Sequence, residues 1–300
     1  MTTKALALSG ALALAALAGS GAALAVEGTP QPPRQSWSFA GVTGTFDRAQ
    51  LQRGFKVYRE VCQNCHALKI PFRTLAQNGG PQFTVPQVTA LAAEYKLQDG
   101  PNDAGDMFER PARPADNIPY AYPNENAAAA ALGGKAPPAL QLIAKARSFE
   151  RGFPWFVFDA MPFLAYQEHG PDYISALLTG YTDPPEGVEV PPGGNYNTYF
   201  PGHVIAMPNP LQDGLVSYPK GPDGASPVPE TAVQYSKDIA AFLVWAAEPS
   251  LEARKRMGFM VIIFLAVLAY GLWYAKKKVW ANVGGEPEGL PGTAPLGPTG

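Results

Sequence analysis

The sequence predicts a mainly α-helical domain with long irregular loops, followed by one C-terminal transmembrane helix. The chain of 300 residues contains 31 glycines and 32 prolines, so long stretches should be turns and irregular structure with little sheet. Charged residues make up only 16%, which is low for a soluble domain and indicates membrane segments. The net charge of −2 argues against binding to nucleic acid.

The first 25 residues are typical of a signal peptide. Lys4 precedes an Ala/Leu-rich run that closes on Ala23-Leu24-Ala25, a small-x-small cleavage pattern with Val26 as the first mature residue. The alternative is an N-terminal membrane anchor. The signal-peptide interpretation implies that the rest of the chain is exported.

A first helix is predicted over Asp47 to Val61. Leu51, Phe55 and Tyr58 form one apolar stripe at spacings of four and then three residues. Gly54 on this helix would let another helix approach closely.

The two cysteines of the chain lie in the run Cys62-Gln63-Asn64-Cys65-His66. A thiol–disulfide motif would require a thioredoxin-like βαβ setting, and no such pattern surrounds the run. A structural zinc site would require two further ligands, for which only His169 and His203 remain. Covalent haem attachment requires this C-x-x-C-H spacing, because two thiols add to two vinyl groups along one haem edge and the following imidazole binds iron. We therefore predict one covalently bound haem c on Cys62, Cys65 and His66.

A second helix is predicted from Thr231 to Glu248, and Pro249 ends it. Its predicted packing faces are apolar and consist of Val233, Ala240, Val244 and Ala247, with Ile239, Phe242 and Ala246 beside them. Two terminal helices crossing over a haem edge are typical of a class I cytochrome c-like haem domain, here predicted for residues 26–250.

Residues 257–275 form an apolar run without a charge, long enough to cross a bilayer as a helix. Three cations flank each end, so the positive-inside count is a tie. Export of the N-terminal body breaks the tie and places residues 276–300, a basic flank and a disordered Gly/Pro-rich tail, in the cytoplasm. The expected location is the bacterial inner membrane, crossed once, with the haem domain on the periplasmic side.

The sixth iron ligand is not fixed by residue type or spacing. A methionine sulfur would stabilise ferrous iron. The candidates are three methionines and two histidines, namely Met107, Met161, Met207, His169 and His203.

Several long segments resemble the cytochrome c1 family, the haem subunits of cytochrome bc1 complexes. The matching segments are YREVCQNCHAL, LQDGPNDAGDMFERP, AYPNENAAAAALGGKAPPAL, LLTGYTDPP, YNTYFPGHVIAMP and DIAAFLVWAAEPSLEARKRMG. The resemblance covers nearly the whole mature length.

The resemblance implies further haem-site residues. Met207, which ends the PG-x-x-I-x-M stretch, would be the sixth ligand together with His66. Arg147 would lie near a haem propionate, where a planar cation is well suited. Pro137 and Pro138 would line the haem pocket, and Tyr173 would lie close to it.

Residues 148–167 look like an insertion relative to shorter family members, and this demotes Met161. Some members have a disulfide in the inserted region. Because no cysteine remains for one here, we expect packing alone to hold the insertion.

The resemblance also implies the function. The haem would accept an electron from a Rieske iron–sulfur protein and pass it to a cytochrome c, with cytochrome b and membrane lipid as further partners. No catalytic residue is predicted, and enzymatic activity would belong to the whole quinol–cytochrome c reductase. The alternatives are a free-standing membrane-tethered cytochrome c, a haem subunit of another oxidoreductase such as a terminal oxidase, and a haem peroxidase.

An acidic stretch is a candidate docking surface for a basic cytochrome c. It comprises Glu94, Asp99, Asp103, Asp106 and Glu109. The alternative is an ordinary solvated loop.

Overall fold

The computed structural model describes residues 29–159, 161, 168–221, 224 and 226–281. The predicted signal peptide and the predicted tail from residue 282 lie outside these residues. The chain divides into two compact units, residues 1–252 and 253–300.

Helices dominate the described residues, as the sequence predicted. The helices are α1 (Arg48–Glu60), α2 (Val85–Ala93), α3 (Glu125–Ala131), α4 (Ile143–Ala146), α5 (Trp155–Asp159), α6 (His169–Thr179), α7 (Ala232–Ala247) and α8 (Leu251–Val279). Short 3₁₀ turns cover Cys62–Asn64, Phe72–Ala76 and Leu140–Leu142.

The described sheet content is small and consists of two antiparallel hairpins. Strand β1 (Lys96–Asp99) pairs with β2 (Phe108–Pro111), with Lys96 opposite Pro111. Strand β3 (Asn195–Tyr196) pairs with β4 (Val204–Ile205), with Asn195 opposite Ile205. The expectation of little sheet is confirmed for these residues.

Helix α1 begins where the sequence predicted. The carboxylate of Asp47 accepts hydrogen bonds from the backbone N–H groups of Ala49 and Gln50, which otherwise have no intrahelical partner. The predicted stripe of Leu51, Phe55 and Tyr58 is buried in the core. The helix therefore presents one apolar face inward.

Helix α7 packs directly on α1 through Gly54. A Cβ atom at Gly54 would lie 2.1 Å from the carbonyl oxygen of Asp238 and 2.6 Å from Cβ of Phe242. The prediction that Gly54 permits close approach is confirmed.

The predicted face of α7 is wrong at one position. Val233 is 56% exposed, whereas the helix is buried from Tyr235 through Ala246 apart from the half-buried Lys237. Helices α1, α4 and α6 all pack against α7, so its middle is covered on several sides. Its first turn is less covered, with Ala232 and Gln234 half-buried and Val233 exposed.

The described part of the predicted insertion is held by a polar cluster. The carboxylate of Asp159 accepts hydrogen bonds from Arg151 (Nε, 3.0 Å) and from His169 (Nε2, 2.9 Å). The His169 ring also stacks on Phe149, with centroids 4.7 Å apart. The expectation that packing alone holds this segment is therefore wrong.

Helix α8 contains the predicted transmembrane run. It is the one helix of the described residues that is long and apolar enough to cross a membrane. Near its C-terminal end the ammonium of Lys277 lies 4.4 Å from the ring centroid of Trp273. A cation beside an indole is typical of the lipid headgroup region.

Candidate haem-binding site

The C-x-x-C-H run forms a tight turn directly after α1. The N–H of Cys65 donates to the carbonyl of Cys62 at 3.1 Å, and the N–H of His66 donates to the same carbonyl at 2.8 Å. Both thiols are free and half-buried. The turn therefore brings the backbones of Cys62, Cys65 and His66 close together, and haem attachment at these residues stays a prediction.

One variable position of the motif, Gln63, anchors the turn. It is buried, its Nε2 donates to the carbonyl of Pro119 at 3.1 Å, and its Oε1 accepts from the Tyr95 hydroxyl at 3.0 Å. Asn64 is exposed. Its Nδ2 donates a longer hydrogen bond, 3.4 Å, to the carbonyl of Glu60, so Gln63 makes the shorter contacts that fix the turn.

Two tyrosines that sequence reasoning did not assign to the site hold its carbonyl groups. The Tyr58 hydroxyl donates to the carbonyl of His66 at 3.2 Å, and the Tyr120 hydroxyl donates to the carbonyl of Cys65 at 3.2 Å. The apolar stripe of α1 included Tyr58 only as a packing residue. No local pattern identifies Tyr120, because its partner lies 55 positions away.

The His66 ring is oriented by the Pro137–Pro138 segment. Its Nδ1 lies 2.8 Å from the carbonyl oxygen of Pro138, and the N–H of Leu140 donates to the carbonyl of Ala67 at 2.8 Å. A carbonyl oxygen can only accept, so Nδ1 carries the hydrogen and Nε2 keeps its lone pair. Burial lowers the pKa of His66, although the hydrogen bond to Pro138 acts in the opposite direction. A neutral imidazole with Nδ1–H on a carbonyl and a free Nε2 is the state that binds a metal.

The Cys62 thiol has the protonation state that haem attachment uses. Burial, and to a smaller extent Cys65, raises the pKa of Cys62 to about 12. An S–H group adds across a vinyl double bond, with sulfur bonding one carbon and hydrogen the other. The donor set and the ring tautomer therefore fit a covalently bound haem c.

The described residues supply no further ligands for a structural zinc site at the C-x-x-C-H run. Within the described ranges, no three His, Cys, Asp or Glu side chains come together as a metal site. His169 has both ring nitrogens in hydrogen bonds, with Nδ1 2.6 Å from the carbonyl of Phe149 and Nε2 on Asp159. This engagement also disfavours His169 as an iron ligand.

Arg147 and Tyr173 lie near each other. Arg147 follows α4 and is exposed, whereas Tyr173 is buried on α6. A Cβ at Gly170 would lie 1.9 Å from the carbonyl oxygen of Ala144, so α4 and the start of α6 are in direct contact. Burial raises the pKa of Tyr173, and the positive charge of Arg147 partly opposes this.

Met207 is half-buried and follows the β3–β4 hairpin. Its carbonyl accepts a hydrogen bond from the Tyr181 hydroxyl at 3.0 Å and a longer one from Asn195 Nδ2 at 3.4 Å. Sequence reasoning identified neither partner.

The other candidate sixth ligands occupy different surroundings. Met107 is 61% exposed in the loop between β1 and β2, and Met161 is 44% exposed beyond α5. Nδ1 of His203 lies 3.3 Å from the carbonyl of Asn197, and its ring stacks on Tyr196. Of the three candidate methionines, Met107 and Met161 are exposed and Met207 is half-buried.

A mainly helical domain with a neutral, oriented histidine beside two free thiols defines a haem c-binding electron-transfer protein. Residues 37–283 match the Cytochrome C1 family. The chain therefore belongs to the cytochrome c1 family, its cofactor is haem c, and its role is electron transport. Together with α8, this membership makes it a membrane protein whose described residues cross the bilayer once.

Three relatives illustrate the similarity. The chain is 58% identical to cytochrome b/c1 of Bradyrhizobium diazoefficiens over 87% of its own length and 37% of that protein. It is 49% identical to cytochrome c1 of Blastochloris viridis over 85% of this chain and 89% of the relative. It is 42% identical to cytochrome c1 of Rhodospirillum rubrum over 89% and 94% of the two chains.

Proposed function

We propose that this chain is the haem c subunit of a cytochrome bc1 complex, which accepts electrons from a Rieske iron–sulfur protein and passes them to a cytochrome c. The observation that carries the proposal is the His66 ring, held by Pro138 with Nε2 free, in a chain of the cytochrome c1 family. The Bradyrhizobium relative is named cytochrome b/c1, and this chain spans about 37% of its length. That name supports cytochrome b as a partner.

Each site residue has a defined task in this proposal. Cys62 and Cys65 would hold the haem by thioether bonds, and His66 and Met207 would supply nitrogen and sulfur to the iron. When bound, the haem supplies one-electron redox chemistry at iron. Pro138 fixes the His66 ring, and Tyr58 fixes the His66 backbone.

The remaining predicted residues shape the haem surroundings. Arg147 would place its cation near a propionate, and the buried Tyr173 would exclude water beside it. Pro137 would line the pocket next to the Pro138 carbonyl. Excluding water raises the reduction potential because the charged ferric state loses hydration.

We also propose the membrane orientation. Residues 1–25 would be removed as a signal peptide, residues 26–250 would lie in the periplasm, and residues 276–300 would lie in the cytoplasm. The support is the order of a cleavable signal, an exported domain and one apolar helix.

Ion pairs within the chain occupy some of the carboxylates in the proposed docking surface. Glu94 pairs with Arg59, and Asp99 pairs with Arg110. The carboxylate of Glu109 lies 3.9 Å from the ammonium of Lys96, so three of the five carboxylates have cationic partners.

Asp103 and Asp106 lie at the exposed tip of the β1–β2 hairpin, and the described residues include no ion pair to either. We therefore propose that these two carboxylates steer a basic cytochrome c.

Docking is tested by the double variant Asp103→Lys/Asp106→Lys. At low salt, cytochrome c reduction should slow by about tenfold, and high salt should remove the difference. The control is Glu186→Lys/Glu189→Lys, which makes the same charge change on another exposed loop. Equal slowing by both variants would show a general net-charge effect and refute docking at the hairpin tip.

Membership of the complex is tested by extracting a tagged chain gently from native membranes. A reduced-minus-oxidised spectrum should show b-type and c-type haem bands together, and quinol should reduce both. A c-type band alone under the mildest extraction would contradict the proposal and favour a membrane-tethered cytochrome c.

The sixth ligand is tested by Met207→Leu, with Met161→Leu as the matched control. Met207→Leu should lower the reduction potential and abolish the far-red sulfur-to-iron charge-transfer band of the oxidised protein. Met161→Leu should leave both unchanged. The reverse pattern would assign the ligand to Met161.

A further inference from the structure

The Tyr181 side chain has a geometry that bears on the sixth ligand. Its hydroxyl donates to the carbonyl of Met207 at 3.0 Å, across 26 positions of sequence. We infer that Tyr181 is a positioning residue that holds the Met207 segment so that the sulfur stays on the haem iron. This inference rests on the proposed role of Met207.

The backbone around Tyr181 is itself firmly placed. The carbonyl of Gly180 accepts from the N–H of Thr198 at 2.9 Å, and Nδ2 of the fully buried Asn197 donates to the carbonyl of Leu177 at 2.8 Å. A Cβ at Gly180 would lie 2.7 Å from the ring of Tyr199, so hairpin and helix end are in contact. Helix α6 and the β3–β4 hairpin thus form one support, and Tyr181 projects from it.

The Met207 segment has few backbone hydrogen bonds of its own. Strand β4 ends at Ile205, two residues before Met207, so the ladder does not reach it. Pro208 follows directly and has no N–H to donate. Side-chain donors from outside must therefore fix the Met207 backbone.

Of the two donors on the Met207 carbonyl, Tyr181 makes the better hydrogen bond. Its 3.0 Å separation lies in the normal range, whereas the 3.4 Å separation from Asn195 Nδ2 is long. The Tyr181 phenol is therefore the main side-chain donor that holds the Met207 carbonyl.

A positioning role differs from ordinary stabilisation in what it protects. A hydrogen bond that only stabilises the fold makes global unfolding less favourable, wherever in the domain that bond lies. A clamp on Met207 specifically opposes the local motion that takes sulfur off iron. Exogenous imidazole measures that motion directly, because it binds iron only where sulfur has left.

The experiment compares Tyr181→Phe with the parent chain, both in the intact complex with haem attached. The oxidised protein is titrated with imidazole while the sulfur-to-iron charge-transfer band is followed. Loss of one hydrogen bond of ordinary net strength should lower the half-displacement concentration by about fivefold. Asn195→Ala removes the longer bond on the same carbonyl and should lower it less. Asn195→Ala also provides the test should Tyr181→Phe fail to assemble.

The matched control is Tyr235→Phe. Its hydroxyl is buried and donates to the carbonyl of Val216 at 2.6 Å, so the same atom is lost from a bond that serves no candidate ligand. This variant should leave the imidazole titration unchanged. An equal shift in Tyr235→Phe and Tyr181→Phe would show general destabilisation and overturn the inference.

Met207→Leu distinguishes failure of the Tyr181 positioning role from failure of the proposed Met207 ligand assignment. Where Met207→Leu abolishes the band and Tyr181→Phe titrates like the parent, the positioning role is refuted and the ligand assignment stands. Where Met207→Leu keeps the band, the ligand assignment fails and the inference fails with it.

Discussion

Gly54→Ala changes the contact between α7 and α1, the helix that ends directly before the C-x-x-C-H motif. The new Cβ would lie 2.1 Å from the carbonyl oxygen of Asp238, whereas real contacts of this kind are almost never shorter than 3.0 Å. The obstacle is backbone, so no side-chain rotation relieves it. The two helices must separate locally by about 0.9 Å, the difference between these distances.

The magnitude follows from two opposing effects. Overpacking of a core contact costs about 1–3 kcal/mol, and a backbone clash belongs at the upper end. Alanine regains about 1 kcal/mol of helix propensity relative to glycine. The net loss should be about 2 kcal/mol, which corresponds to an unfolding temperature about 4–8 °C lower for a domain of this size.

The assay is thermal unfolding of the full chain in detergent, followed by the haem absorption band at one heating rate. The control is Gly258→Ala on α8, where nothing lies within 4 Å of the new Cβ. This control should unfold within about 1 °C of the parent chain. An unchanged or raised unfolding temperature in Gly54→Ala would refute the close approach of the two helices.

Three further substitutions test named contacts by the same assay. Asp238→Asn should lower stability by about 3 kcal/mol, because the fully buried carboxylate pairs with Arg53 at 2.9 Å and its loss leaves a cation without its partner; a change below about 1 kcal/mol would contradict the pair's importance. Hydrogen bonds from Arg110 lower the pKa of Asp116 from 3.8 to about 2. The stability that Asp116 contributes is therefore complete above pH 3.8 and is lost as pH falls to about 2, so Asp116→Asn should flatten this acid limb of the unfolding-temperature profile. Asp47→Ala removes the N-cap of α1 and should cost about 1 kcal/mol, whereas no loss would show that water replaces the cap.

The parts of the fold with local signals were predictable from sequence. Helices α1 and α7 combine apolar periodicity with caps at Asp47 and Thr231, and these residues lie next to the groups they satisfy. The C-x-x-C-H turn is equally local, since its hydrogen bonds join residues three and four positions apart. Interactions between residues close in sequence therefore produce patterns that can be recognised in the sequence.

The supporting contacts of the haem site were not predictable. Tyr120 reaches the Cys65 carbonyl across 55 positions, and Tyr181 reaches Met207 across 26. A hydroxyl on a backbone carbonyl requires no particular residue at the acceptor, so the acceptor carries no sequence signal. Val233 was misplaced for a related reason, because periodicity shows a face but not where the neighbouring helices begin to cover it.

The segment around α5 shows how a polar cluster can take the place of a covalent link. Burial alone would raise the pKa of Asp159, yet the hydrogen bonds from Arg151 and His169 lower it. The carboxylate therefore remains charged and paired at any pH above the usual range for Asp. Because His169 is the first residue of α6, the cluster fastens this segment to the helix that carries Tyr173. With Arg151 and Asp159 each only 12% exposed, solvent screens the pair far less than a surface ion pair, and its loss would leave a charge without its partner. Residues outside the predicted set of haem ligands can in this way fix a helix of the haem domain.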